Sequence, residues 1–125
     1  MTDWVDDFAD YIGNQFNTLN IYLEYMDPDN ENCVVLRSEP GQGDLHFTGR
    51  RHIYRGIIVI SVRDFDLETA KSTAQELSEF LRLKGNITQG DTYFERISCN
   101  GYTHVKTNKT EGTIYNITVS IKYQR

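Results

Sequence analysis

Residues 56 to 84 constrain the fold more than any other stretch of this chain. From Ile57 to Val62 every position except Ser61 is apolar, and most are β-branched, the pattern of a sheet strand covered on both faces. After Arg63 the apolar spacing changes: Leu67, Ala70, Ala74, Leu77 and Leu81 recur at three and four, so they share one face of a helix. Asp66 is placed to cap that helix and Glu68 suits the positive end of its dipole. Gly85, preceded by Arg82 and Lys84, reads as its end. These signals predict a helix of about 18 residues, roughly 27 Å long. A central strand feeding such a helix requires a sheet for the helix to cover.

The remaining segments supply one. Asp3 to Phe16 carries Trp4, Phe8, Tyr11, Ile12 and Phe16 at helical spacing, and Asp3 with Asp6 resembles a capping box. Asn20 to Met26 alternates apolar and mixed positions, Cys33 to Arg37 reads as a second short strand, and Thr92 to Ser98 as another. The clearest alternation is at the end, where Tyr115, Ile117, Val119, Ile121 and Tyr123 point one way and Asn116, Thr118, Ser120 and Lys122 the other. Gly85 to Gly90 reads as a turn, and Asn100 to Gly112 as either a mobile loop or an extended hairpin tip. No internal repeat is visible. The expectation is a single α+β domain over residues 1–125: a mixed, mainly antiparallel β-sheet of about five strands packed against an N-terminal helix and one long central amphipathic helix.

A chain of 125 residues can bury about two thirds of its unfolded surface without a staple. Cys33 and Cys99 fit neither a metal knuckle nor a secreted disulfide framework. With no charged-then-apolar leader before the first helix, they read as reduced thiols of a cytoplasmic chain, the alternative being a pair that bridges two strands. The longest apolar run falls far short of the ~18 residues of a membrane span. The net charge of −5 is unevenly spread: residues 1–36 hold eight acids and no Lys or Arg, while the remainder holds ten acids and all thirteen bases. That polarity suits packing against further copies or charged neighbours, and equally an acidic helix start and an acidic turn that fall close in sequence.

The densest basic patch follows a turn-rich stretch, in Arg50, Arg51, His52, Tyr54 and Arg55, and Lys106 and Lys109 lie in the polar segment before the last strand. Such residues contact phosphates and stack on bases, or pair with a neighbour's acids; the acidic overall balance favours protein contact. Asp27 to Asn32 superficially resembles a calcium loop but lacks its glycine and terminal glutamate. His46, His52 and His104 are isolated and no nucleophile elbow or phosphate loop is present. The expectation is therefore no enzyme, no cofactor and no metal. A histidine and a carboxylate meeting in a cleft would revive a hydrolase reading.

The turn and strand Pro28 to Leu36, the glycine loop Glu39 to Gly43, the run Ile58 to Asp64 with its Val-Arg step, the helix stripe Ala70, Ala74 and Leu77, and the leading segment Trp4 to Ile12 together resemble the minor capsid and tail terminator (tail completion) proteins of long-tailed bacteriophages. The resemblance implies a virion subunit, assembled in the host cytoplasm, that forms a hexameric ring at the head-proximal end of the tail. It would cap the tail tube, dock on the head-tail connector and pass DNA through its lumen without sequence-specific binding or membrane contact. Arg50, Arg51, His52, Tyr54, Arg55, Lys106 and Lys109 would then be interface residues. A head-completion or connector subunit and a small nucleic-acid-binding module are the alternatives.

Overall fold

A computed structural model describes residues 3–24, 32–39, 46–48, 51–110 and 112–125, with backbone alone at 46–48 and 51. The turn at 27–31 and the glycine loop at 40–45 lie outside the described residues. The protein is α+β, with its elements in the order α1 (Trp4–Gln15), β1 (Ile21–Leu23), β2 (Cys33–Ser38), β3 (His46–Thr48), β4 (Arg51–Asp64), α2 (Leu67–Phe80), β5 (Leu83–Gln89), β6 (Thr92–Cys99), β7 (Thr103–Asn108) and β8 (Gly112–Gln124). All the strands join one sheet in the order β1-β2-β4-β8-β6-β5, with β3 also on β4 and β7 also on β8. Every pairing is antiparallel except that of β1 with β2.

Long β4 and β8 form the spine, in register from Ile53 opposite Gln124 to Asp64 opposite Thr113. Each has two shorter partners laid end to end on its outer side: β2 and β3 along β4, β6 and β7 along β8. The two halves of the chain therefore repeat one plan, helix, edge strand, broken strand, long strand. The pair Leu36 and Ile60 in the first half has its counterpart in Ile97 and Ile121 in the second. The repeat is invisible in sequence because a buried Ile or Leu is specified only as apolar. It is also incomplete, since β5 forms a hairpin with β6 whereas β1 runs parallel to β2.

Both helices pack on one face of this sheet. In α1 the capping box forms as expected: the Asp3 carboxylate accepts from the Val5 and Asp6 amides, and the Asp3 amide donates to Asp6. Asp66 caps α2 by accepting from the Glu68 amide at 3.2 Å and the Thr69 hydroxyl at 2.7 Å. Phe8 and Ile12 of α1 and Ala70, Ala74, Leu77 and Leu81 of the α2 stripe are fully buried against Ile58, Ile60, Ile97, Ile117 and Val119. Leu67, assigned to that stripe by spacing, is instead 50% exposed at the first helical position.

Three expectations are corrected and one open alternative is decided. The described residues form eight strands rather than about five. Helix α2 has 14 residues and stops at Phe80; Leu83 to Gln89 joins β6 as a strand, because cross-strand bonds from Leu83 opposite Ser98 onward outweigh the helical preference of Arg82 and Lys84. Gly85 is thus neither a helix cap nor part of a turn: a side chain there would meet the Glu95 carbonyl oxygen at 2.7 Å, so it lets β5 and β6 approach. Of the two readings of the polar segment after Asn100, the hairpin is the one observed, with β7 exposed along its whole length. Finally, neither described helix covers the second face of β4, where Ile57 is 43% exposed. The apolar run there reflects a position between β2 and β8, whose same-face side chains shield Val59.

Candidate functional site

The two-residue side-chain period divides the basic segment of β4 between the faces of the sheet. His52, Tyr54 and Gly56 share the face of Ile58 and Ile60 and look toward the helices. There the Trp4 and Tyr123 rings stack with centroids 4.6 Å apart and planes at 16°. Tyr54 stacks on Tyr123 at 5.2 Å and 20°, and His52 lies 6.1 Å from Tyr54. The indole fits because residue 56 has no side chain: a Cβ would fall 2.5 Å from Trp4 Cη2. Burial in this stack, reinforced by Tyr54 and Asp3 and partly offset by Arg125, pushes the Tyr123 hydroxyl up to about 12. The Trp4 and Tyr123 stack holds α1 onto the sheet, with Tyr54 packed on Tyr123 and His52 beside Tyr54.

Arg55 takes the opposite, open face and is exposed. Its register partner on β8 is Lys122, and Lys122 in turn stands opposite Arg96 of β6. Three cations therefore cross three adjacent strands at about 5 Å intervals. Glu95 is drawn to the row: its carboxylate lies 3.3 Å from Lys122 Nζ and accepts from Gln124 Nε2 at 2.7 Å. Glu95 occupies a register shift between Phe94 and Arg96. That shift is why the sequence did not reveal Arg96 as a neighbour of Lys122: an extra residue reverses the alternation. Arg55 in the basic run and Lys122 on the wet face of β8 were the legible members of this row.

Of the other residues singled out by sequence, Arg50 lies outside the described residues, and Arg51 is described only as a backbone position opposite Thr48. Lys106 belongs to β7 opposite Ile114, and Lys109 to the turn that follows. Along β8, Ile114 and Lys122 are separated by eight residues, about 27 Å at strand rise, so Lys106 and Lys109 do not join the Arg55 row.

A cleft of 460 Å³ opens on the same face where β6 breaks into β7, lined mainly by neutral hydroxyls and amides, among them Ser98, Asn100, Thr103, Asn116, Thr118 and Ser120. Its chemistry is hydrogen bonding. The Cys99 thiol beside it donates to the Ser78 carbonyl at 3.2 Å, and burial pushes its pKa up against the opposing pull of a Gly101 backbone bond and Arg82. That makes it a poor nucleophile. Cys33 and Cys99 are both buried and unbridged. His104 contacts Thr107 Oγ1 at 2.7 Å and the edge of Tyr115, far from His52 at the other end of β4 and β8. Among the described residues no three His, Cys, Asp or Glu side chains gather as metal ligands, and no helix is long and apolar enough to cross a membrane. Neither a protein-family model nor a curated protein matches the sequence.

Proposed function

We propose that the protein is a structural subunit of a bacteriophage virion, a tail terminator or tail completion protein. It assembles with copies of itself into a hexameric ring at the head-proximal end of the tail, between tail tube and head connector, with DNA passing through the lumen. Its work is done by interfaces rather than by catalysis. The observation that carries this reading is that four of the five family-like segments overlap the framework of the fold, while the glycine loop and the turn that opens the Pro28 to Leu36 segment lie outside the described residues. Residues 4–12 lie within α1, 33–36 within β2 and 58–64 within β4, and Ala70, Ala74 and Leu77 are the buried stripe of α2. A resemblance confined to variable surface loops would carry little weight; these four stretches include residues that set helix and strand positions.

The test is the mass of the purified protein in solution across a concentration series, with electron micrographs of the same samples, followed by its addition to tails that lack a terminator. Closed rings, or capping of tails by the protein, support the proposal. A monomer at every concentration that leaves tails uncapped refutes it. The Arg55, Lys122 and Arg96 row favours one second reading, a nucleic-acid-binding module, which predicts duplex affinity falling steeply with salt.

A further inference from the structure

Among the described residues the charges also divide between the two faces of the molecule. The exposed side of the helix layer carries Asp10 of α1 and Glu68, Glu76 and Glu79 of α2, against Lys71, Arg82 just past α2, and Lys84 over the Phe80 ring. The open face of the sheet carries Arg55, Arg96 and Lys122 with Arg37 of β2, against Glu95 and Glu39, which lies just past β2. Cations placed directly opposite one another on adjacent strands destabilise a sheet, and of the three cations in the row Lys122 is the one within 4 Å of the Glu95 carboxylate. Ile57, 43% exposed beside Arg55, adds an apolar contact to the same surface. Cys33, Val35, Val59 and Arg63 on that face are buried, so among the described residues the open part is the cationic end around Arg55, Lys122 and Arg96; a sheet clothed by helices on one side and open there on the other offers that end for a third layer.

We infer that the open cationic face of the sheet, centred on Arg55, Lys122 and Arg96, is the docking surface for the acidic helix layer of a second copy of this chain. The contact is heterologous, because the two surfaces differ, so each subunit offers one of each and the assembly closes as a ring or grows as a filament. Opposite charges steer the approach and reject a sheet-to-sheet or helix-to-helix arrangement, in which like charges would meet. The inference deepens the self-assembling reading proposed above and rests on it for the existence of an assembly; it names the surfaces and their polarity.

The experiment is a charge swap on the whole chain, read by analytical ultracentrifugation at low ionic strength. One variant, R55E/R96E, makes the sheet face acidic; the other, D10K/E76K, makes the helix layer basic. All four residues are exposed, and circular dichroism with thermal melting checks that both variants keep the fold. Each variant alone loses at least about tenfold in self-association, and mixing the two restores assembly, since every junction then joins opposite charges. Assembly by R55E/R96E equal to that of the unaltered protein overturns the inference and leaves the self-assembling reading standing. A monomeric unaltered protein overturns the inference, and overturns the self-assembling reading as well when it also leaves tails uncapped. If R55E/R96E abolishes salt-sensitive binding of a duplex oligonucleotide while self-association is unchanged, the face belongs to nucleic acid and the inference is overturned in that direction.

Discussion

Substituting Gly56 by alanine tests the packing that seats α1 on the sheet. In the interior of a strand alanine is ordinarily better than glycine by about 0.5–1 kcal/mol, because it loses less backbone entropy on folding. Here the sign should reverse. The new methyl group would lie 2.5 Å from Cη2 and 2.7 Å from Cζ2 of Trp4, closer than any tolerable carbon contact. The ring cannot slide within its plane of stacking without leaving Tyr123, 4.6 Å away. Overpacking of this kind costs about 1–3 kcal/mol, and loss of the stacked pair about 0.5–1.5 kcal/mol more. The expected outcome is a net destabilisation of roughly 2 kcal/mol, visible as a lowering of the melting temperature by about 6–12 °C for a chain of this size. Trp4 is the only tryptophan, so its emission reports its own displacement and should shift to longer wavelength in the folded variant. The decisive control is Trp4→Leu, in which the smaller side chain relieves the clash; G56A should then cost at least about 1 kcal/mol less than in the Trp4 background. An equal cost in both backgrounds, or an unshifted emission spectrum, would refute the packing argument.

Two further outcomes follow from buried polar groups. Because Tyr123 holds its proton up to about 12 in the folded protein, against an ordinary value of 10.0, the unfolded chain releases that proton first. Its contribution is complete below pH 10 and is lost as pH rises from 10 through 12, by about 2 kcal/mol. Urea unfolding across that range should show the fall, and Tyr123→Phe should flatten it; an unchanged slope in the variant would place the titrating group elsewhere. Thr92 is fully buried and its hydroxyl donates to the buried Asp7 carboxylate at 2.6 Å, tying α1 to the start of β6, with Arg125 Nη2 a further 3.8 Å contact. Thr92→Val should destabilise by about 1–3 kcal/mol by leaving that oxygen short of a donor. Thr92→Ser, which keeps the hydroxyl, should cost less, and equal losses in urea unfolding would count against the hydrogen bond.

Features set by neighbours along the chain were readable from residue order. The capping box at Asp3 and Asp6, the Asp66 cap, the buried stripe from Ala70 to Leu81 and the alternation from Tyr115 to Tyr123 all depend on residues within a turn or a strand of one another. Where α2 stops, and that Leu83 to Gln89 and Thr103 to Asn108 are strands, depends on partners distant in sequence, and neither segment carries an apolar pattern of its own. The same distinction governs the candidate site. Arg50 to Arg55 stood out as a run, yet a strand sends successive side chains to opposite faces, so His52 and Tyr54 share the helix-bearing face while Arg55 went to the open side. Lys122 and Arg96, remote along the chain, became its neighbours through strand register and a bulge at Glu95. Composition and local periodicity were enough for the class of fold and most of its core; which charges share a surface was decided by long-range pairing, which no local pattern encodes.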